Sequence, residues 1–216
     1  MRVCRIIVAA SILIFCSWSA LAQKYGRNVL QKLPQASAAV GVTGAAAPKQ
    51  NCVNWLWAAE VETILKKQKI DLPQTYWVTQ ANLGEVCVDE PIDLASIASL
   101  VERDYQLEDG SKFHLKAIRT TGAPSDIGHF IASLQQERPF ILVWKGRPLL
   151  VTGMTYDQYG YPNGQRMYQV RTIDMVDPAY PEGDEHRSVT FVNGTDDPNE
   201  ISGTLEVVAV PVDPFR

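Results

Sequence analysis

The chain has 216 residues, 46% of them hydrophobic, with 24 Asp and Glu against 20 Lys and Arg for a formal net charge of −4. That length suffices for one domain with a substantial core, or for two small subdomains sharing a cleft. The charge balance lacks the basic surplus or stripe of a nucleic-acid binder, so no nucleic-acid partner is expected.

Arg2 and Arg5 precede an apolar run over 6–15 and then Ala20-Leu21-Ala22, the pattern of a secretory signal cleaved after Ala22. The run is too short to span a bilayer comfortably, which disfavours a membrane anchor. Bulky Phe15 before Cys16 disfavours a lipoprotein signal. The expected location is secreted or periplasmic, with no membrane partner after cleavage. Cys4 and Cys16 leave with the signal, so Cys52 and Cys87 remain, and an even pair in an oxidising compartment points to a disulfide. Closing that loop would stabilise the fold by about 3–4 kcal/mol in the chain-entropy model.

Residues 23–48 are rich in Ala and Gly and carry no sustained apolar period; they read as a tether or short pro-segment, with a strand packed across the domain as the alternative. From 57 to about 68, Trp57, Val61, Ile64 and Leu65 recur at helical spacing, with Glu60, Glu62, Lys66 and Lys67 assigned to the outer face. A second helix is predicted from Pro73 to near Gly84. The third, capped by Asp93, carries the stripe Leu94, Ile97, Ala98 and Val101. After the turn at 108–110, residues 112–118 alternate like a strand, and a helix after Ser125 turns Ile127, Phe130, Ile131 and Leu134 inward. Strands are predicted at 140–144, 149–156, 165–175, 188–192 and 204–212, separated by Gly, Pro, Asn and Asp turns. A helical part (about 49–107) followed by an antiparallel part (about 108–216) is an α+β pattern.

The stretch QNCVNWLWAAE over 50–60 opens the first helix. It resembles the active-site segment of the secreted bacterial papain-like cysteine peptidases, a family that includes avirulence-effector and bacteriocin-processing peptidases. There a glutamine precedes the catalytic cysteine by six positions, and the cysteine starts a helix. A helix N-terminus favours the thiolate, and the glutamine with a backbone N–H stabilises the oxyanion. The similarity continues through Gln80, through the run from Leu134 past Arg138-Pro139 into an apolar strand, through RPLLVTGMTYD over 147–157, and through Val176-Asp177-Pro178 with Tyr180-Pro181. It thus covers 50 to about 181 of an expected papain-like domain over 49–216.

The resemblance implies a two-lobe papain-like fold, a helical lobe packed on an antiparallel half-barrel, with Gln50 at the oxyanion-hole position and Trp55 and Trp57 at the cleft. It also puts Leu56 at the nucleophile position and Arg147 at the histidine position, leaving Asp177 as the third triad member. Leucine has no nucleophilic atom, and a permanently protonated guanidinium accepts no proton, so no intact catalytic set is expected. Arg147 is instead expected to face Asp177 as a bidentate pair, beside a cleft floor made apolar by Leu56. The implied partner is a peptide or protein held without cleavage, with no cofactor. One alternative is an active peptidase or transpeptidase using Cys52 with His114, His129 or His186. Another is a scaffold or inhibitor-like partner of an active homologue. Cys52 lies in a loop where papain-like enzymes often place a disulfide cysteine.

The remaining conspicuous residues have structural readings. Trp55, Trp57, Trp77 and Trp144 suit core and lobe-interface packing. The three histidines lack zinc-site spacing, so no metal is expected. The acidic stretches at 182–185 and 196–197 read as solvated loops, with weak calcium binding as the alternative. Asn193-Gly194-Thr195 fits a glycosylation acceptor in a eukaryotic secretory pathway.

Overall fold

In the computed structural model, the described residues are 31–32, 36–39, 50–81, 93–107, 109–178, 185–191 and 194–212. The signal-like residues 1–22, Cys87 and residues 182–184 lie outside them. The chain divides into two compact units, Met1–Pro34 with Gln158–Met167, and Gln35–Asp157 with Tyr168–Arg216.

In the larger unit β2 is Ala36–Ala39, following β1 at Gln31–Lys32 in the smaller one. Three helices come next, α1 (Leu56–Lys67), α2 (Gln74–Gln80) and α3 (Leu94–Val101). Then follow β3 (Asp104–Gln106), β4 (Lys112–Thr121), α4 (Ile127–Gln135), β5 (Phe140–Trp144), β6 (Arg147–Gly160), β7 (Arg166–Asp177), β8 (Glu185–Thr190), a single 3-10 turn (Pro198–Glu200) and β9 (Ile201–Pro211). The architecture is α+β with an antiparallel sheet in the order β3-β4-β9-β5-β6-β7-β8, and β1 and β2 also pair with β6. The last strand lies between β4 and β5, so Leu205 stands opposite both Arg119 and Ile141. Among the described residues no helix is long and apolar enough to cross a membrane.

Side-chain caps explain two helix starts. Asp93 accepts a hydrogen bond from the Ser96 N–H at 2.7 Å, and Asp126 accepts one from that of His129 at 3.1 Å, satisfying first-turn donors that would otherwise have no partner. The β5–β6 hairpin turns on Lys145 (φ 50°) and Gly146 (φ 77°). Two successive positive φ values define a two-residue turn whose twist matches the flanking strands, and it sets Trp144 opposite Arg147.

Two apolar clusters form the interior of the larger unit. One joins α1, α2 and α3 to Phe113, Leu115, Ile141, Leu150, Leu205 and Val207. The other joins α4 to Phe140, Leu142, Trp144, Leu149 and further residues of β6 and β7. Successive strand residues face opposite ways, so β5 supplies Ile141 to the first cluster and Phe140, Leu142 and Trp144 to the second. In the smaller unit β1 pairs antiparallel through Gln31 with Gly160 and Lys32 with Tyr159. Nearby, Gly164 at φ 84° closes the turn in which the Tyr161 N–H donates to the Gln165 carbonyl.

Three expectations need correction. Residues 31–32 and 36–39 are not tether but strands paired with β6, with Ala39 opposite Gly153, so the strand alternative describes them. Glu60 and Glu62 do not face solvent: they are 0% and 5% exposed, because every residue from Trp57 to Leu65 is buried. Trp55 and Trp57 are core residues, 5% and 2% exposed, and offer no open cleft surface.

Trp77 is fully buried, with its ring 5.1 Å from that of Tyr76 and 5.9 Å from that of Tyr105, which stacks on Phe113. Trp77→Ala is expected to cost about 3–5 kcal/mol in urea unfolding, whereas exposed Val210→Ala should stay within about 0.5 kcal/mol.

Candidate functional site

The site begins with the loop before α1. The Gln50 backbone N–H donates to the Pro178 carbonyl at 3.4 Å, which ties the loop to the residue after β7. The Gln74 side chain accepts from the Asn51 N–H at 3.0 Å, and the Trp55 N–H donates to the Cys52 carbonyl at 3.0 Å. Helix α1 then starts at Leu56 with no side-chain cap. Leu56 is half-buried, while Val53 is 60% exposed.

Gln50 is itself buried, and its Nε2 donates to the Val53 carbonyl at 3.3 Å. Its amide therefore braces its own loop. Cys52 is buried and disulfide-bonded, so it has no free thiol to serve as a nucleophile. Its expected partner, Cys87, lies outside the described residues.

At the β5–β6 turn Arg147 reaches the end of β7. Its Nε donates to Asp177 Oδ2 at 2.7 Å and its Nη2 to Oδ1 at 2.8 Å, the two-pronged fit of a guanidinium to a carboxylate. A second guanidinium, from Arg187 on β8, stands 3.5 Å from Asp177 Oδ2. Asp177 has no exposed side-chain surface, while Arg147 and Arg187 are 46% and 43% exposed. The carboxylate is thus interior, and the cations beside it still reach solvent.

Glu60 follows Leu56 by one helical turn and is fully buried. Neither of its carboxyl oxygens has a hydrogen-bond partner among the described residues. Burial pushes its carboxyl well above the ordinary carboxylate range, the charge of Asp177 adds to the rise, and Arg147 opposes it. The first turns of α1 and the Arg147–Asp177 pair therefore share one electrostatic neighbourhood.

Sequence patterning missed Glu60 and Arg187. For Glu60 a signal existed: it is three residues after Trp57 and four before Ile64, inside the apolar stripe. Arg187 left none, since only the pairing of β8 with β7, with Arg187 opposite Met175, brings it near. The histidines have other partners. His114 Nδ1 lies 2.9 Å from Asp104 and His129 Nε2 lies 3.0 Å from Glu206, while His186 is exposed on β8. Trp144 is buried, with the Lys145 ammonium 5.2 Å from its ring centre. Among the described residues no group of three His, Cys, Asp or Glu side chains could hold a metal ion.

No protein-family model matches the chain, and neither a curated protein nor a solved structure matches it.

Chemically, positions 56 and 147 offer a hydrocarbon and a permanent cation, which cannot act as nucleophile and base. They can provide an apolar contact and N–H donors. Two outcomes are expected here. Arg147→Ala should destabilise the fold by on the order of 3 kcal/mol, because it strips a bidentate partner from a buried carboxylate, and Arg147→Leu combined with Asp177→Leu should recover much of that loss in a double-mutant cycle. Glu60→Gln should change the pH dependence of stability. A folded-state value above the unfolded one of about 4.3 means that wild-type stability is full below that pH and falls as pH rises through the raised value. The variant should lack this fall, so its advantage in melting temperature should grow towards alkaline pH.

Proposed function

We propose that this chain is an exported homologue of the papain-like cysteine peptidases that lacks their chemistry and holds a peptide or protein in the position of the former active-site cleft. What carries the reading is the bidentate Arg147–Asp177 pair. Two positions picked out by resemblance to the family's histidine and aspartate meet as partners, thirty residues apart in the chain. The bond from Gln50 to Pro178 and the effect of Asp177 and Arg147 on Glu60 support it further, by putting the glutamine loop and the start of α1 beside that pair.

In this reading the helical segment and the sheet are the two papain-like lobes, and Cys52 bonds Cys87. The guanidinium replaces the histidine–aspartate hydrogen bond. Half-buried Leu56 and exposed Val53 give an apolar contact, and the exposed edges of Arg147 and Arg187 provide donors for carbonyl or carboxylate groups. Export rests on the signal-like residues 1–22.

Purified protein should leave casein and fluorogenic peptides uncut, and Cys52 should resist iodoacetamide until the disulfide is reduced. The sharper measurement is reversion. Leu56→Cys with Arg147→His should react with an epoxysuccinyl cysteine-peptidase probe, whereas either single change should react far less, because nucleophile and base act as a unit. A folded double variant with no thiol reactivity above that of free cysteine would refute the papain-like alignment.

A further inference from the structure

The second apolar cluster is incompletely filled. A pocket of about 310 Å³ opens into it, beside α4 and against the sheet. Its floor is Phe140, Leu142, Met154, Ile173 and Ile201, from β5, β6, β7 and β9, each at most 4% exposed. Half-buried Ile127 and Phe191 form walls, and the exposed Ala123 and Gln169 stand at the mouth. None of the residues at positions 50, 56, 147 or 177 lines it.

Four physical facts narrow the occupant. The volume lies at the lower end of the range for small-molecule sites; at about 30 Å³ per atom, the share of a water in the liquid, it takes about ten non-hydrogen atoms. Among the described residues no charged side chain lines it, so an ionised ligand would lose its hydration without compensation. Water gains little there, because the floor offers it no side-chain hydrogen-bonding group. Among the described residues the one polar side chain in the lining is that of Gln169, at the mouth; its amide has several hydrogen-bonding positions, so it can meet one polar group at one end of an otherwise apolar molecule alongside its partner in the fold.

We infer that this pocket is a binding site for a small neutral molecule: a single aromatic ring or compact hydrocarbon with one hydrogen-bonding group, seated ring-first on Met154 and Ile173 with its polar end towards Gln169. The site is separate from the Arg147–Asp177 pair and does not depend on the papain-like reading.

Titration of the full chain with p-cresol, followed in methyl NMR spectra, tests it. Saturable shifts are expected for the Met154 and Ile173 methyls. The charged isostere 4-methylbenzoate should bind at least tenfold more weakly. Ala123→Trp, which places a large ring at the exposed mouth without disturbing the core, should abolish the shifts while the rest of the spectrum stays intact. Absence of saturable shifts would overturn the inference, as would equal binding of the benzoate or shifts unchanged in Ala123→Trp. A pocket that admits only an apolar side chain of a protein partner gives the first of these negative results.

Discussion

A carboxylate withdrawn completely from water needs compensation close at hand, and Asp177 is the place where this fold meets that need. Two N–H donors from Arg147 occupy its two oxygens, and a second guanidinium lies within 3.5 Å. The pair depends on backbone geometry as much as on charge. The Lys145-Gly146 turn reverses the chain in two residues and makes Arg147 the first residue of β6, while β7 must run its full length to put Asp177 at its end. A slip of one residue in either strand would turn the side chain to the other face of the sheet. The same strand end presents the Pro178 carbonyl that receives the Gln50 N–H, so one location ties the sheet to the loop that launches α1.

Glu60 completes this arrangement in a less obvious way. Asp177 is already engaged by Arg147, and a second ionised carboxyl in the same dry neighbourhood would have to share that guanidinium. Keeping its proton is the cheaper state for Glu60, which is the direction in which burial and the charge of Asp177 both push it. The carboxyl therefore behaves as a polar core residue over a wider pH range than an ordinary glutamate. It also places a titratable group inside a helix that is buried from Trp57 to Leu65, where ionisation acts directly on packing.

Much of this was legible in the residues, and the exceptions share a cause. The helices at 56–67, 94–101 and 127–135 follow from apolar periodicity and from Asp93, and β4, β5 and β9 from alternation and turn residues. Positions 147 and 177 were picked out by resemblance alone, and their side chains meet as a bidentate pair. What failed was set by strand pairing and by covering from distant parts of the chain. The segment holding Ala36–Ala39 has no apolar period of its own, and it becomes a strand because β6 is long enough to accept it opposite 153–156. Glu60 and Glu62 were misplaced because one-sided amphipathicity was assumed for a helix that is covered almost all round, whereas Trp55 and Trp57 are buried as their core reading had it and not at a cleft as the resemblance implied. That covering is supplied by tertiary neighbours and leaves no local mark.

The division of the interior by the sheet bears on how the two candidate sites relate. The ionic end of β7 demands charge complementarity: replacing Arg147 alone leaves Asp177 under-compensated, so any variant that changes this pair one residue at a time passes through a destabilised intermediate. The floor of the apolar pocket, by contrast, is made of apolar side chains and has no charge of its own to balance. β5 contributes to both apolar clusters, with Ile141 packed in the first and Phe140 and Leu142, in the second, forming part of the pocket floor. Because neighbouring residues of one strand face these two environments, a shift of β5 that admits a ligand on one face must be absorbed on the other. The hairpin that places Arg147 begins at the end of that same strand, so such a shift reaches the Arg147–Asp177 pair only by way of the two-residue turn at Lys145 and Gly146.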